Sequence, residues 1–226
     1  MKAMILAAGR GERMRPLTNH IPKPLLEVAG KPLIVWHLEK LAKANFEEVI
    51  INHAHLGEMI ETYVGDGSRW NLKVTYSREG SPLETAGGIK KALPLIGDQP
   101  FLVVNADIYT DFNFATIKNR NLNDCKGHLV MVKNPKQHPD GDFFLQNNQI
   151  ELEGKERLTF SGIAVYQPKI FEDINLEPVA KLAPILKKLI GAKCISGEAY
   201  QGLWFDIGTP ERLNEVNLFL KEELKS

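Results

Sequence analysis

Strand-like and helix-like segments alternate along the first half of this chain, and that order constrains the fold more than any other feature. A short apolar run at residues 2–8 ends in glycine and is typical of a buried strand. Residues 32–46 carry apolar side chains at helical spacing, with Pro32 at the start. The continuous apolar run at 101–104 is typical of a strand buried on both faces of a parallel sheet. The order predicts an α/β fold with a doubly wound, mostly parallel (Rossmann-like) sheet.

The alternation of strands and helices continues to about residue 134, and a more β-rich order follows. Strands are expected at 47–53, 72–77 and 128–134, and helices at 56–64, 84–96 and 112–122. Beyond these, the sequence predicts a hairpin at 143–154 with its turn near Asn147–Asn148, a strand at 158–166, an amphipathic helix at 179–192 around Pro184, and a strand, turn and helix at 202–224. We expect one domain over residues 1–226, with an inserted β-rich lobe.

The composition narrows the possible partners. Lys+Arg and Asp+Glu each number 28, whereas a nucleic-acid-binding protein more often shows a basic excess. An anion site must therefore be local, and we expect no nucleic-acid partner. No stretch reaches the about 18 apolar residues that a membrane-spanning helix needs, and the N-terminus does not resemble a signal peptide. Cys125 and Cys194 form neither a disulfide framework nor a zinc motif. These features favour a soluble, cytoplasmic protein without a membrane partner.

Glycine and basic residues follow the first strand. Gly9 and Gly11 allow a sharp turn whose backbone N–H groups can bind an anion. Arg13 and Arg15 add forked donors that match phosphate oxygens, and Lys23 lies between two prolines that stiffen the backbone. The nucleotide-binding patterns GxxxxGK[ST] and GxGxxG do not fit. A plain strand-to-loop turn and an incidental lysine on a proline connector remain the alternatives.

Two aspartates follow apolar segments in distant parts of the chain. Asp107 ends the predicted buried strand, and Asp206 precedes a glycine turn. Each alone could be a turn former or helix cap, but together they could bind one Mg²⁺, which takes carboxylates, waters and substrate phosphates. Ligands of such sheets bind outside the carboxyl ends of the strands. Residues 9–13 and 105–107 are both expected at that edge.

Glu79, after the third strand, is a candidate for contact with a nucleobase. An ionised carboxylate only accepts hydrogen bonds, which suits uracil, thymine or guanine. Gly87 and Gly88 lie early in a helix, where glycine is unfavourable, so close approach of a flat ligand would account for them. His53 and His55 could form a metal pair, although polar residues at a strand end are the simpler interpretation.

Several motifs together resemble those of the sugar-phosphate nucleotidyltransferase family. The residues 6–18, "LAAGRGERMRPLT", and 22–34, "PKPLLEVAGKPLI", are similar to its N-terminal signature. "VVNADI" and "WFDIGTPERL" resemble its two metal-aspartate motifs. The resemblance implies an enzyme that joins a nucleoside triphosphate to a sugar 1-phosphate. "SPLETAGGI", "HPDGDFFL" and "LTFSGIAVY" are most similar to members that use UTP on the 1-phosphate of a cell-wall amino sugar.

The resemblance also implies roles for residues at matching positions. Nucleotide binding would involve Ala7, Ala8, Gly9, Gly11, Glu12, Arg13, Lys23, Glu79, Glu84 and Thr85. Sugar binding would involve Asn105, Asp140, Gly141, Glu153, Ser161 and Gly162. Asp107 and Asp206 would bind Mg²⁺, and Arg13, Lys23 and Asp107 would be catalytic. The nucleotide-binding part would cover about 1–110, the sugar-binding part about 111–210, and the C-terminal helix about 210–224.

Two departures from the family and several alternative functions accompany this interpretation. Many relatives have Gly-Thr-Ala-Gly where this chain has Glu84 to Gly87, and the Glu-Lys-Pro motif is replaced by residues 152–154. The alternatives are transfer to another sugar 1-phosphate (mannose, heptose or glucose, with GTP or dTTP) and an inactive sensor of nucleotide sugars. A glycosyltransferase would share the α/β rim but would usually carry an Asp-x-Asp metal motif, which we do not expect here.

Overall fold

The computed structural model describes residues 1–172 and 179–223 of the chain. Its strands are β1 (Ala3–Leu6), β2 (Glu27–Val28), β3 (Lys31–Pro32), β4 (Glu48–His53), β5 (Lys73–Arg78), β6 (Phe101–Asn105), β7 (Ile108–Thr110), β8 (Gly127–Val132), β9 (Phe143–Gln146), β10 (Gln149–Glu151), β11 (Arg157–Tyr166), β12 (Ile195–Tyr200) and β13 (Trp204–Asp206). Its helices are α1 (Leu33–Lys43), α2 (Gly57–Val64), α3 (Glu84–Ile96), α4 (Ala115–Lys118), α5 (Lys169–Glu172), α6 (Leu182–Gly191) and α7 (Pro210–Glu223).

A nine-stranded sheet organises the molecule in the order β5-β4-β1-β6-β11-β8-β12-β10-β9. The first four strands are parallel, β11 is antiparallel to both of its neighbours β6 and β8, and β12 is parallel to β8. β9 also pairs with the start of β11, which joins the second half into a β-rich lobe. The predicted α/β fold is confirmed, with the parallel character concentrated in the N-terminal strands.

Alternating side chains of the parallel strands point into two helix-covered cores. Ile5 and its neighbours pack with α1 and α2, whereas Met4, on the opposite face, packs with α3, α5 and α6. A third cluster joins α7 to the loop after β1, because Val216 and Leu220 pack with the fully buried Met14. Burial of Met14 anchors the glycine loop (residues 7–13) against the body of the protein.

Most predicted elements are present, and the differences have local causes. The hairpin turn at Asn147 and Asn148 is confirmed, with φ of 51° and 61° at the two residues. The helix expected at 112–122 is only the single turn α4. The side chain of Asn113 accepts the N–H of Ala115, the first residue of that turn. Asn121 accepts the N–H of Asn123 instead of continuing the helix. Residue 224, the predicted end of the C-terminal helix, lies outside the described residues.

Four strands were absent from the sequence-based prediction: the two-residue strands β2 and β3, which pair with each other, and the strands β7 and β12. β7 has only three residues, and it pairs with β13 in a separate two-stranded sheet. β12 alternates small or apolar residues with polar ones, a weak strand signal because Gly197 and Ala199 have short side chains. Within the described ranges, no helix combines the length and apolar character that crossing a bilayer requires.

Candidate active site

A cleft of about 810 Å³ opens at the carboxyl ends of the parallel strands. This is the edge where the parallel topology was expected to place a ligand. Twelve of the predicted site residues line it: Ala7, Ala8, Gly9, Gly11, Glu12, Arg13, Lys23, Glu79, Glu84, Thr85, Asn105 and Asp107. The other six, which do not line it, are Asp140, Gly141, Glu153, Ser161, Gly162 and Asp206.

The glycine loop takes its shape from one left-handed residue. Gly11 has φ of 63°, and a Cβ there would lie 2.9 Å from Cγ2 of Thr18. The Thr18 hydroxyl donates to the Gly11 carbonyl at 2.7 Å, which ties the loop to the segment that follows. In the described part of the chain, the guanidinium of Arg13 makes no hydrogen bond or ion pair with protein groups. The loop therefore presents an uncompensated cation to the cleft.

Lys23 is buried and paired, unlike a solvated lysine on a connector. It is 9% exposed, and its ammonium donates to Oδ2 of Asp107 at 2.6 Å. The flanking prolines set a short 3₁₀ turn, Lys23–Leu25, that points the side chain inward. Asp107 itself lies in the turn between β6 and β7, so the ion pair joins two distant segments at the cleft.

Asp206 reaches the same edge through strand pairing. β13 runs antiparallel to β7 with Asp206 opposite Ile108, and the N–H of Ile207 donates to the Asp107 carbonyl at 2.9 Å. Arg212, in the first turn of α7, donates to the Asp206 carboxylate. Sequence reasoning missed Arg212, although the α7 start was predicted. No group of three or more His, Cys, Asp or Glu suited to a metal occurs in the described ranges, so a metal held by Asp107 and Asp206 would have no third such side chain beside them.

A buried hydrogen-bond network forms the opposite wall of the cleft. Glu79 is 7% exposed; its Oε1 accepts from Nδ2 of Asn52 at 2.6 Å and its Oε2 from the N–H of Leu83 at 2.9 Å. Oδ1 of Asn52 accepts the N–H of Ala7 at 2.9 Å. A Cβ on Gly88 would lie 2.4 Å from Oε1 of Glu79. Room for this carboxylate, rather than for a flat ligand, accounts for Gly88.

Glu84 occupies a backbone conformation that favours glycine. It begins α3 with φ of 60°, in the left-handed region. A residue with a Cβ is strained there by about 1–2 kcal/mol. This chain therefore has glutamate at a position where the backbone conformation favours the glycine that many relatives carry.

The predicted sugar-binding residues fall into two groups. Gly162 has φ of 80° and lies against Asn105, since a Cβ there would be 2.6 Å from Nδ2 of Asn105. It lies in an irregular stretch of β11, where the register against β8 shifts, as is common beside active sites. The hydroxyl of Ser161 is instead buried and donates to the Val130 carbonyl at 2.7 Å. Asp140 and Glu153 are exposed on the β-rich lobe.

The expectation that the chain lacks an Asp-x-Asp motif is wrong, because residues 140–142 read Asp-Gly-Asp. Gly141 has φ of 60°, and a Cβ there would lie 2.7 Å from Oδ1 of Asn134. Asp142 accepts the N–H of Phe160 at 2.8 Å and contacts His138 at 3.1 Å. These contacts hold Asp142 within the lobe, and neither Asp140 nor Asp142 lines the cleft beside Asp107.

Other titratable groups are accounted for by contacts outside the cleft. Nε2 of His53 contacts Glu61 at 2.6 Å, whereas that of His55 is 3.4 Å from the Thr18 carbonyl, so the two histidines do not form a metal pair. The hydrogen bond from Arg78 lowers the pKa of Glu61. His37, in α1, does not line the cleft, and burial lowers its pKa to about 4.

The sheet carries a glycine loop with an exposed arginine and two aspartates near one cleft at its carboxyl edge, an arrangement suited to an enzyme that acts on phosphates. The profile of the nucleotidyl transferase family matches residues 2–144, and the chain belongs to that family. The homologues are sugar-1-phosphate nucleotidyltransferases.

Two curated relatives and two solved structures define the likeness further. The chain is 52% identical, over 96% of each sequence, to N-acetylmuramate alpha-1-phosphate uridylyltransferase of Neisseria meningitidis serogroup B. It is 31% identical to mannose-1-phosphate guanyltransferase beta-A of Xenopus laevis, covering 93% of this chain but only 62% of that protein.

Both solved structures support the fold alone, because their identities are low. A Bacillus anthracis protein described as a glucose-1-phosphate thymidylyltransferase superposes with a TM-score of 0.87 at 22% identity, covering 98% of this chain and 96% of that one. HddC of Yersinia pseudotuberculosis, complexed with GMP-PN, gives 0.78 at 24% identity, covering 97% of this chain and 99% of that one.

Proposed function

We propose that this protein transfers a uridylyl group from UTP to N-acetylmuramic acid α-1-phosphate, giving UDP-N-acetylmuramic acid and pyrophosphate. The specificity is supported by the 52% identity to the Neisseria enzyme over almost the whole of both chains. The reaction type is supported by one observation above all: Arg13 and the Lys23–Asp107 pair line one wall of a cleft, and strand pairing brings Asp206 beside it.

The reaction joins two polyanions, so its chief demands are charge balance and alignment. The oxygen of the sugar 1-phosphate attacks the α-phosphorus of UTP in line, and the bond to pyrophosphate breaks. The nucleophile is already anionic, and no general base is required. Orientation can lower such a barrier by about 7–11 kcal/mol in favourable cases. Arg13 and Lys23 stabilise charge as it moves onto the leaving pyrophosphate.

Asp107 and Asp206 are proposed to hold Mg²⁺. Two carboxylates with room for waters and phosphate oxygens are the donor set that this ion takes. When bound, Mg²⁺ neutralises phosphate charge and helps to fix the phosphates for attack. Lys23 and Arg212 hold the two carboxylates in place, because each donates to one of them.

The remaining roles follow the two sides of the cleft. The glycine loop, with Ala7, Ala8, Gly9, Gly11 and Glu12, is proposed to enclose the nucleotide, and Glu79, Glu84 and Thr85 to meet its uracil end. Asn105 is proposed to contact the sugar, with Gly162 leaving room for its side chain. Asp140, Gly141 and Glu153 are proposed to complete the sugar-binding part, about 111–210, opposite the nucleotide-binding part, about 1–110. The buried hydroxyl of Ser161 would support that part through its bond to Val130 rather than contact the sugar.

The product suggests a cellular role. UDP-N-acetylmuramic acid is a cell-wall precursor, and making it from a sugar 1-phosphate returns a recovered sugar to that supply. We therefore place the protein in peptidoglycan recycling in the cytoplasm, with UTP and the sugar 1-phosphate as its partners.

A substrate matrix tests this proposal. Each of UTP, dTTP and GTP is combined with the 1-phosphates of N-acetylmuramic acid, N-acetylglucosamine, glucose, mannose and a heptose, and pyrophosphate release is measured with Mg²⁺. We expect the highest kcat/KM for UTP with N-acetylmuramic acid α-1-phosphate. Preference for another pair would reassign the substrate, and no release with any pair would indicate a nucleotide-sugar sensor.

A further inference from the structure

Asn52 occupies a position between the two loops that the nucleotide would contact. It is near the end of β4, which lies between β1 and β5 in the sheet, with Asn52 opposite Leu6 on one side and Ser77 on the other. The glycine loop follows β1, and Glu79 directly follows β5. A side chain on this strand can therefore contact both loops at once.

The amide of Asn52 makes both contacts. Its Oδ1 accepts the N–H of Ala7 at 2.9 Å, and its Nδ2 donates to Oε1 of Glu79 at 2.6 Å. Oε2 of Glu79 then accepts the N–H of Leu83 at 2.9 Å, just before α3. Asn52 is 3% exposed, so water does not substitute readily for these bonds. The orientation of the amide is fixed, because the N–H of Ala7 requires an acceptor and the carboxylate of Glu79 requires a donor.

We propose that Asn52 is a positioning residue for the nucleoside triphosphate, because it sets the distance between the glycine loop and the Glu79 wall. The proposal rests on the proposed nucleotidyl transfer, but not on which base is used. The sugar enters from the Asn105 side, and among the described residues no hydrogen bond joins the side chain of Asn105 to this network. Loss of the network is therefore expected to weaken nucleotide binding and to leave sugar binding unchanged.

The polarity of the network can be reversed without changing its shape. Asn52→Asp keeps the acceptor for Ala7 but puts two carboxylates face to face. Glu79→Gln leaves one amide oxygen for two donors, Asn52 and the N–H of Leu83. In the double variant, the new carboxylate at position 52 would accept from Ala7 and from the new amide at position 79, whose oxygen would accept from Leu83. All three hydrogen bonds and the total charge are then restored.

Steady-state kinetics of the two single variants and the double variant test the proposal. KM is measured for UTP and for the sugar 1-phosphate, or for whichever substrates the wild-type protein prefers, and thermal unfolding is followed in parallel. Each single variant is expected to raise KM for the nucleotide by about tenfold or more, equivalent to about 1.4 kcal/mol, with KM for the sugar unchanged. The double variant is expected to recover most of that loss.

Asn217→Asp is the matched control. Oδ1 of Asn217 accepts the N–H of Ala29 at 2.7 Å, and its Nδ2 donates to the carbonyls of Leu213 at 2.9 Å and Glu27 at 3.3 Å. Its amide therefore also accepts and donates within the protein, but Asn217 does not line the cleft. The control variant should not change KM for the nucleotide. The proposal is overturned if the single variants keep the wild-type KM, if both substrates are affected equally, or if the double variant recovers thermal stability but not KM. Wild-type substrate preference tests the proposed function separately.

Discussion

Replacing Glu84 by glycine should give a more stable protein than replacing it by alanine. Glu84 has φ of 60°, and a residue with a Cβ in that region costs about 1–2 kcal/mol. Glycine removes the strain but loses about 0.5–1 kcal/mol through the greater freedom of the unfolded chain. Glu84→Ala keeps the strain, and both variants lose the favourable carboxylate at the start of α3. We therefore expect Glu84→Gly to be more stable than Glu84→Ala by about 0.5–1 kcal/mol.

Urea unfolding at neutral pH measures this difference, and thermal unfolding should show the glycine variant about 1–4 °C above the alanine variant. Glu84→Asn is a useful intermediate, because asparagine tolerates the left-handed region better than alanine. The expected order of stability is glycine, asparagine, alanine. If alanine were as stable as glycine, the strain assigned to this turn, and its explanation of the glycine found in many relatives, would be wrong.

Three further changes test separate parts of the structure. Asp107→Asn should lower kcat by about 100-fold or more, because a carboxylate proposed to hold Mg²⁺ is lost. It should also lower the thermal stability, because the buried ammonium of Lys23 loses its ion-pair partner; near-normal turnover of the folded variant would remove Asp107 from the site. Burial lowers the pKa of His37 to about 4, so the unfolded state binds the proton first as pH falls, and about 3 kcal/mol of stability should be lost between pH 6.5 and about 4. Unfolding measured across that range should show no such loss in His37→Leu. Gly88→Ala should destabilise by about 1–3 kcal/mol because its Cβ would lie 2.4 Å from Oε1 of Glu79, whereas Gly9→Ala, with no atom within 4 Å, should unfold like the wild type.

Sequence patterns predicted the fold where strands are long and apolar. The run at 101–104 and the helical spacing after Pro32 correspond directly to β6 and α1. β12 was harder to predict, because Gly197 gives it no side chain at a buried position and Ala199 is exposed. Its pairing with β8 also depends on distant parts of the chain. The antiparallel direction of β11 is likewise a property of the assembled sheet. The pattern of apolar and polar residues within β11 does not indicate that direction.

The site was predictable to the extent that its residues carry unusual local patterns. Glycines with arginines, a lysine between prolines and a carboxylate after a buried strand all indicated the cleft. Asn52 and Arg212 were missed because each residue is ordinary in its own segment. Asn52 gains its contact from Glu79, which is distant in the sequence, and Arg212 gains its contact with Asp206 from the turn before α7. A polar residue near the end of a buried strand was the one available signal for Asn52. The neighbouring His53 was considered as a metal ligand instead, and it contacts Glu61, which does not line the cleft.

Product analysis with labelled UTP tests the central claim most directly. UTP carrying a label at its α-phosphorus is incubated with the protein, Mg²⁺ and N-acetylmuramic acid α-1-phosphate, and the products are separated. Attack at the α-phosphorus predicts that all transferred label appears in UDP-N-acetylmuramic acid and none in pyrophosphate, and that no label moves when the sugar 1-phosphate is omitted. Label recovered as UMP or UDP without sugar, or no turnover, would contradict the proposed transfer.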